Sequence, residues 1–224
     1  MKFIFPLVLL SFLCQAQEKR KSDKDQTIGY IGVIESFQFF NQFDIALEEY
    51  KQNRNWLELI PQTSTSVTGF AIGNGFFNGN KSYYDLNLFY NGYKTLASGY
   101  SNYGYSSREF RVRTFGLGFD YLITSKYLFN QIYLGGSVKY SHLSFYSLSA
   151  FNYDWSVKGN YISLSPKIEY VPDFLKRRIF VGAQFNLPVN QINIADLKTE
   201  MGTLNTNSYM WPFSFDISLK ASFL

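Results

Sequence analysis

From Trp211 to Phe223 every second residue is apolar or small. Trp211, Phe213, Phe215, Ile217, Leu219, Ala221 and Phe223 fall on one side, and Pro212, Ser214, Asp216, Ser218, Lys220 and Ser222 on the other. Strand side chains alternate faces, so a period of two with aromatics at both ends predicts a strand with lipid on one side and a barrel lumen on the other. The pattern recurs upstream. Tyr84, Leu86, Leu88 and Tyr90 stand against Asp85, Asn87 and Asn91, and Phe115, Leu117, Phe119 and Tyr121 against Thr114, Gly116, Gly118 and Asp120. Ile132, Leu134, Val138 and Tyr140 oppose Ser137, Lys139 and Ser141, while Ile162, Leu164, Ile168 and Tyr170 oppose Ser163, Ser165, Lys167 and Glu169. Ile179, Val181, Ala183, Phe185, Leu187 and Val189 oppose Gly182, Gln184 and Asn186. Pro166 interrupts one of these runs, and its missing N–H predicts a local bulge.

Two earlier strands are less sharply patterned. One runs from about Thr27 to Phe40, where Ile31, Val33, Phe37 and Phe39 suit lipid but Glu35 shares their face and Ile34 opposes it. The other, over about 64–77, is Gly-rich and gives no clear orientation. The count is eight, and an even number returns both ends of the chain to the same side. Connections at 78–81, 124–127 and 172–177 are short, whereas 41–63, 99–107, 149–155 and 192–208 are mostly longer. That asymmetry predicts periplasmic turns, outer loops and both termini periplasmic. Within the first long loop, Phe43, Leu47, Tyr50 and Leu57 recur at roughly helical spacing with Asp44 near the start, predicting a helix that lids the barrel rim.

Aromatic residues make up 20% of the chain, and no later stretch forms a long unbroken apolar run, which favours strands over helices as the membrane-crossing element. Residues 1–16 read as a cleavable export signal, with Lys2, an apolar run from Phe3 to Leu13, and Cys14-Gln15-Ala16 before the cut. Lipidation at Cys14 is disfavoured because Ser11-Phe12-Leu13 lacks the usual small residue. Residues 17–26 form a charged periplasmic leader, and 27–224 the barrel domain. Cys14 is the single cysteine, so the mature chain has no disulfide and no thiolate metal site. A net charge of +4 does not call for nucleic acid, and neither metal nor cofactor motifs occur.

The signal, the alternating strands, the loop asymmetry and the final Ala221-Ser222-Phe223-Leu224 together resemble the small eight-stranded outer-membrane barrel superfamily, in the form common in Bacteroidota-like exported proteins. The resemblance implies an all-β, eight-stranded antiparallel meander in the outer membrane. Members usually end in an aromatic residue, whereas Phe223 is penultimate here. They serve as adhesins, anchors, lipid-modifying enzymes and accessory subunits, so the fold leaves the role open.

Three groups of side chains carry candidate chemistry. Asp85, Asp120, Lys139, Lys167, Glu169, Asp216 and Lys220 all take lumen positions, and in so narrow a barrel they are expected to pair as an internal network. Lys94, Arg111, Arg113 and Lys158, with His142, project outward just above the apolar belt, where lipid phosphates such as those of lipopolysaccharide lie. His142 and Ser144 share an outward face with Asp154 nearby, a constellation that can run acyl transfer. That trio faintly resembles the outer-membrane lipid A deacylases, but the family's Asn-Pro-Gly segment and following glutamate are missing, and the chain is read as non-enzymatic. Aromatics at Tyr100, Tyr103, Tyr105, Tyr146, Phe151, Tyr153 and Trp155 suggest an outer-membrane protein partner. The expected role is thus structural or accessory, with contacts to outer-membrane lipids and a partner protein. A solute or ion conduit and a lipid A deacylase are the alternatives.

Overall fold

A computed structural model describes residues 25–61, 66–79, 81–124, 131–149, 154–172, 177–202 and 207–223. The expected signal 1–16, most of the 17–26 leader, and Phe151 and Tyr153 lie outside the described residues. Eight strands make the wall: β1 (Asp25–Phe39), β2 (Ser66–Asn78), β3 (Ser82–Ser101), β4 (Gly104–Thr124), β5 (Ile132–Ser149), β6 (Trp155–Tyr170), β7 (Ile179–Pro188) and β8 (Phe213–Phe223). Each pairs antiparallel with its sequence neighbours, and β1 pairs with β8, which closes the ring as an eight-stranded meander. Closure gives every one of these strands a paired neighbour on both sides, the condition lipid imposes on a sheet.

The register is staggered. A row begun at Phe223 passes Gly29, Asn74, Leu86, Phe119, Val138 and Leu164 to Leu187, beside the Asn186–Ser214 pair. One circuit therefore climbs almost the whole of β8, so the strands tilt steeply against the barrel axis. A row followed from β1 toward β7 rises toward the long-loop end.

All the apolar positions assigned to lipid from β3 to β8 lie on the outer surface, with Leu86, Phe115, Leu117, Phe119, Val138, Leu164 and Leu219 prominent among the exposed hydrophobics. β1 presents Ile31, Val33 and Phe39 outward and buries Tyr30, Ile34, Ser36 and Gln38. Ile34 is inward because it packs with Ala71 of β2 and Phe89 of β3. β2 sends Phe70 and Phe76 to lipid and Val67, Ala71 and Phe77 inside.

Three expectations change. No bulge forms at Pro166: the register with β6's neighbour β5 runs unbroken through Gly136–Pro166, and the β7 ladder keeps one register on either side of Ser165 and Pro166. The proline simply leaves pairs unmade on the β7 side. The expected loop over 99–107 contracts to a tight turn, because β3 and β4 stay paired through Tyr100–Tyr105 and Ser101–Gly104. These strands, of 20 and 21 residues, far exceed the 9–11 that cross a bilayer, and they stand out of the membrane as a hairpin. β8 begins at Phe213, two residues after Trp211.

The first long loop carries α1 (Asn41–Gln52) and a short strand, Leu57–Leu59, that pairs with the protruding part of β3. The last carries α2 (Ala195–Met201) between two-residue strands that pair with each other. Phe43, Ala46, Leu47 and Tyr50 of α1 are buried, as their spacing requires. Leu57, by contrast, falls in the short strand and packs only at the edge of that cluster.

Candidate functional site

The barrel is filled in three layers. At the short-turn end Ile28, Phe77, Tyr83, Leu122, Tyr133, Val171 and Phe180 form an apolar floor. Phe77 packs 4.6 Å from Tyr83 and 5.9 Å from Phe180, ring centre to ring centre, and the Arg177 guanidinium covers Phe77 at 4.2 Å.

The middle layer is ionic. Lys220 Nζ donates to Asp85 Oδ2 at 2.6 Å and lies 3.3 Å from Glu169 Oε2. Glu169 Oε2 is also 3.1 Å from Lys167, which bonds Asp120. Lys139 bonds Asp216 Oδ2 at 2.9 Å. All seven predicted lumen residues are therefore gathered in one buried layer, as one five-member chain and one pair. Neutral groups complete it: Tyr30 donates to Asp85 at 2.6 Å, Ser36 to Asp216 at 2.7 Å, and Gln184 and Asn186 to Asp216 at 2.8 and 2.7 Å. Sequence reasoning missed Tyr30, Ser36 and Gln38, because the face of β1 was ambiguous there.

Above it sits an apolar cork. Phe43 of α1 stacks on Phe145 at 4.7 Å, Tyr50 meets Phe110 edge-on at 5.1 Å, and Ile192, Leu197, Met201 and Met210 of the last loop join them. Val112, Leu143, Val157 and Tyr161 supply the wall. A Cβ on Gly159 would run into Ile192, so this glycine lets the last loop lie against β6. The helix expected as a rim lid is thus inserted into the mouth. Cavities lined in part by the ionic layer measure about 10 and 20 Å³. That is room for a water or so and not for a hydrated solute.

Outside, the register aligns Gly92, Arg113, Ser144 and Lys158 in one row and Lys94, Arg111, Tyr146 and Ser156 in the next. The predicted basic fringe is therefore contiguous. It contains one acid that sequence reasoning did not place: Glu109 bonds Arg111 and lies 3.9 Å from Lys94. Arg113 and Lys158 approach the Tyr146 ring at 5.4 and 5.9 Å, and neither has a carboxylate partner among the described residues.

The acyl-transfer trio does not assemble. Asp154 accepts from the Ser149 backbone N–H at 2.8 Å, beyond the end of β5. His142 Nδ1 pairs with Asn160 Oδ1 at 2.6 Å and its ring packs 4.9 Å from Phe115. Ser144 is 2% exposed, and no hydrogen bond joins it to His142. Trp155 is likewise no surface aromatic: it is buried in the cork beside Phe110. Tyr100, Tyr103 and Tyr105 remain exposed at the hairpin tip.

The sequence showed a second polar feature only as an irregularity of the first strand, without its partners. Glu35 faces outward on β1, two residues from Val33 and opposite Ile217, both exposed to the lipid side. Its carboxylate accepts from Ser66 Oγ and from Thr68 Oγ1, the latter at 2.7 Å.

An apolar outer surface around a closed barrel with a self-paired ionic layer inside is the pattern of a membrane-spanning β-barrel of the outer-membrane type. No family model matches the chain, and no curated protein matches it. Among solved structures, Ail, the attachment invasion locus protein of Yersinia pestis, is 8% identical over 90% of this chain and 100% of its own, with a TM-score of 0.45. The N-terminal β-barrel domain of Pseudomonas aeruginosa OprF is 10% identical over 87% and 99%, with a TM-score of 0.41, and Neisserial surface protein A is 8% identical over 90% and 100%, at 0.40. Likeness at this level bears on neither ligand nor activity, and closure of the barrel rests on its own register.

Proposed function

We propose that this protein is a closed, non-enzymatic barrel with a structural or accessory role, holding outer-leaflet lipid with its basic fringe and a protein partner with its protruding hairpin. One observation carries this: the lumen is stoppered by a cork, an ionic layer and a floor, so the surfaces left for function are external. Arg113 and Lys158, without a carboxylate partner among the described residues, suit the phosphates of lipopolysaccharide, since guanidinium and ammonium groups bind phosphate oxygens with charge-assisted hydrogen bonds. Tyr100 and Tyr105 pack edge to face at 5.3 Å, and with Tyr103 they present aromatic surface well outside the lipid belt, where aromatics favour interfaces. An assembly or secretion complex of a Bacteroidota-like outer membrane is the setting this reading favours. Against the alternatives, no open path through the lumen and no hydrogen-bonded Ser-His pair occur among the described residues.

Purification in mild detergent tests the accessory role. A stoichiometric companion is expected from the wild type and is lost from a Tyr100→Ala/Tyr103→Ala/Tyr105→Ala variant that still folds. Repeated recovery of a lone barrel, or a companion indifferent to the tyrosines, counts against it.

A further inference from the structure

The outer end of the β1–β4 wall holds a polar track within the lipid-facing surface. Glu35 and Thr68 are register partners on β1 and β2. Thr68 stands one residue from the Gly69–Asn91 pair and so opposite Gly92 of β3, which pairs with Arg113 of β4. A Cβ on Gly92 would lie 3.3 Å from both the Tyr90 hydroxyl and the Arg113 stem, so both groups converge on the surface that glycine leaves open. The track spans three strand spacings, about 14 Å. Because the rows climb from β1 toward β7, Glu35 sits deeper than Arg113, among acyl chains, while Arg113 reaches the headgroup level.

A carboxylate facing hydrocarbon is disfavoured unless partners satisfy it, and such a residue usually marks a site. Among the described residues, Ser66 and Thr68 give Glu35 two donors, whereas an ionised carboxylate accepts about four. Glu35 itself stands on the lipid-facing side of β1, level with exposed Ile217. What comes against it from the membrane must bring a hydrogen-bond donor below its headgroup and an anion above it. Ordinary diacyl phospholipids carry the phosphate but only ester carbonyls at the roots of their chains, which are acceptors. A phosphorylated glycolipid with hydroxyl or amide N–H groups at the roots of its chains carries both.

We propose that Glu35, held by Ser66 and Thr68, is a subsite for such a glycolipid, accepting a hydrogen bond from the hydroxyl or amide at the base of an acyl chain while Arg113 and Lys158 bind its phosphate. This rests on the lipid-binding reading above and adds selectivity to it: the fringe attracts any phosphate, and Glu35 selects the lipid that also carries a buried donor.

The test uses the full mature chain in phosphatidylcholine nanodiscs, with bis-phosphorylated, hexa-acylated lipid A and dipalmitoyl phosphatidylglycerol as probes, and bound lipid counted by native mass spectrometry. Wild type is expected to retain lipid A at least tenfold better than phosphatidylglycerol. Glu35→Gln, nearly isosteric and outside the core, is expected to lose most of that preference while binding phosphatidylglycerol unchanged. Glu35→Leu serves as a second variant, with heat-modifiable gel mobility confirming that each has folded. Arg113→Ala/Lys158→Ala is expected to weaken both lipids. If both Glu35 variants keep the wild-type preference, or weaken the two lipids equally, the subsite is overturned while the phosphate reading stands. If the double cation variant binds both lipids as wild type does, the phosphate reading itself fails.

Discussion

Replacing Lys220 by Met should be among the most damaging single changes in the lumen. The ammonium is 5% exposed, 2.6 Å from Asp85, 3.3 Å from Glu169 and 4.6 Å from the centre of the Tyr30 ring, so it links two carboxylates. At an effective dielectric of about 20, a unit pair 2.6 Å apart attracts by about 6 kcal/mol, most of it offset in the native protein by the desolvation of both ions. Removing the lysine deletes the attraction but leaves Asp85 desolvated, with the Tyr30 hydroxyl as its remaining side-chain donor among the described residues. The expected loss is about 3–5 kcal/mol. Lys220→Met/Asp85→Asn removes the stranded charge as well. The double variant should therefore be more stable than Lys220→Met alone, with a coupling on the order of 2 kcal/mol. Urea unfolding from detergent micelles, followed by tryptophan fluorescence, measures all four proteins. A Lys220→Met loss below about 1 kcal/mol, or a double variant as unstable as the two singles summed, would refute the idea of a tightly coupled ionic layer.

Two further changes probe the cork. Leu47→Ala removes a fully buried side chain of α1 and should cost about 2–5 kcal/mol in the same assay, while far-ultraviolet dichroism keeps the strand signal of an intact wall. A loss within about 0.5 kcal/mol would mean that α1 rests loosely on the mouth. Asp44, in the first turn of α1, has its carboxyl raised by burial from 3.8 to about 6. A carboxyl that binds its proton more tightly when folded favours the folded loop at low pH, and this contribution fades as pH rises from about 4 through 6. Asp44→Asn should therefore match wild type near pH 4 and protect the loop better against proteolysis at pH 8. Equal protection at both pH values would contradict the burial of that carboxyl.

The lipid-spanning half of the fold was legible because two solvents act on each strand at once. Where lipid lies outside and an ionic lumen inside, as along β3 to β8, alternation must be strict, and faces follow directly from residues such as Leu117 and Asp120. β1 reads poorly for a physical reason: Ile34 meets an apolar pocket inside, and Glu35 finds hydroxyl partners on the next strand outside. Both exceptions depend on β2, whose own face the glycines hide. Above the membrane the two-solvent rule ends, and with it the legibility of the hairpin, whose pairing past Tyr100 depends on backbone hydrogen bonds and not on polarity. The cork was only partly visible. The spacing of Phe43, Leu47 and Tyr50 marked a helix, but not that Phe110, Phe145 and Trp155 would turn inward to receive it. The lumen charges were recognisable as inward, while their partition into a five-member chain and a separate Lys139–Asp216 pair follows from the barrel's stagger, which no single strand encodes. The Ser-His-carboxylate trio shares parity only: equal parity puts residues on one face without making them neighbours, and Asp154 lies two same-face rows beyond the Ser144–Lys158 pair and three beyond His142–Asn160.

The sealed lumen is tested most directly by electrical recording from the purified, refolded protein in a planar bilayer. The layered interior predicts a silent membrane across the physiological voltage range, with insertion verified by protease protection of the same preparation. Reproducible discrete conductance steps from verified, folded protein would contradict it.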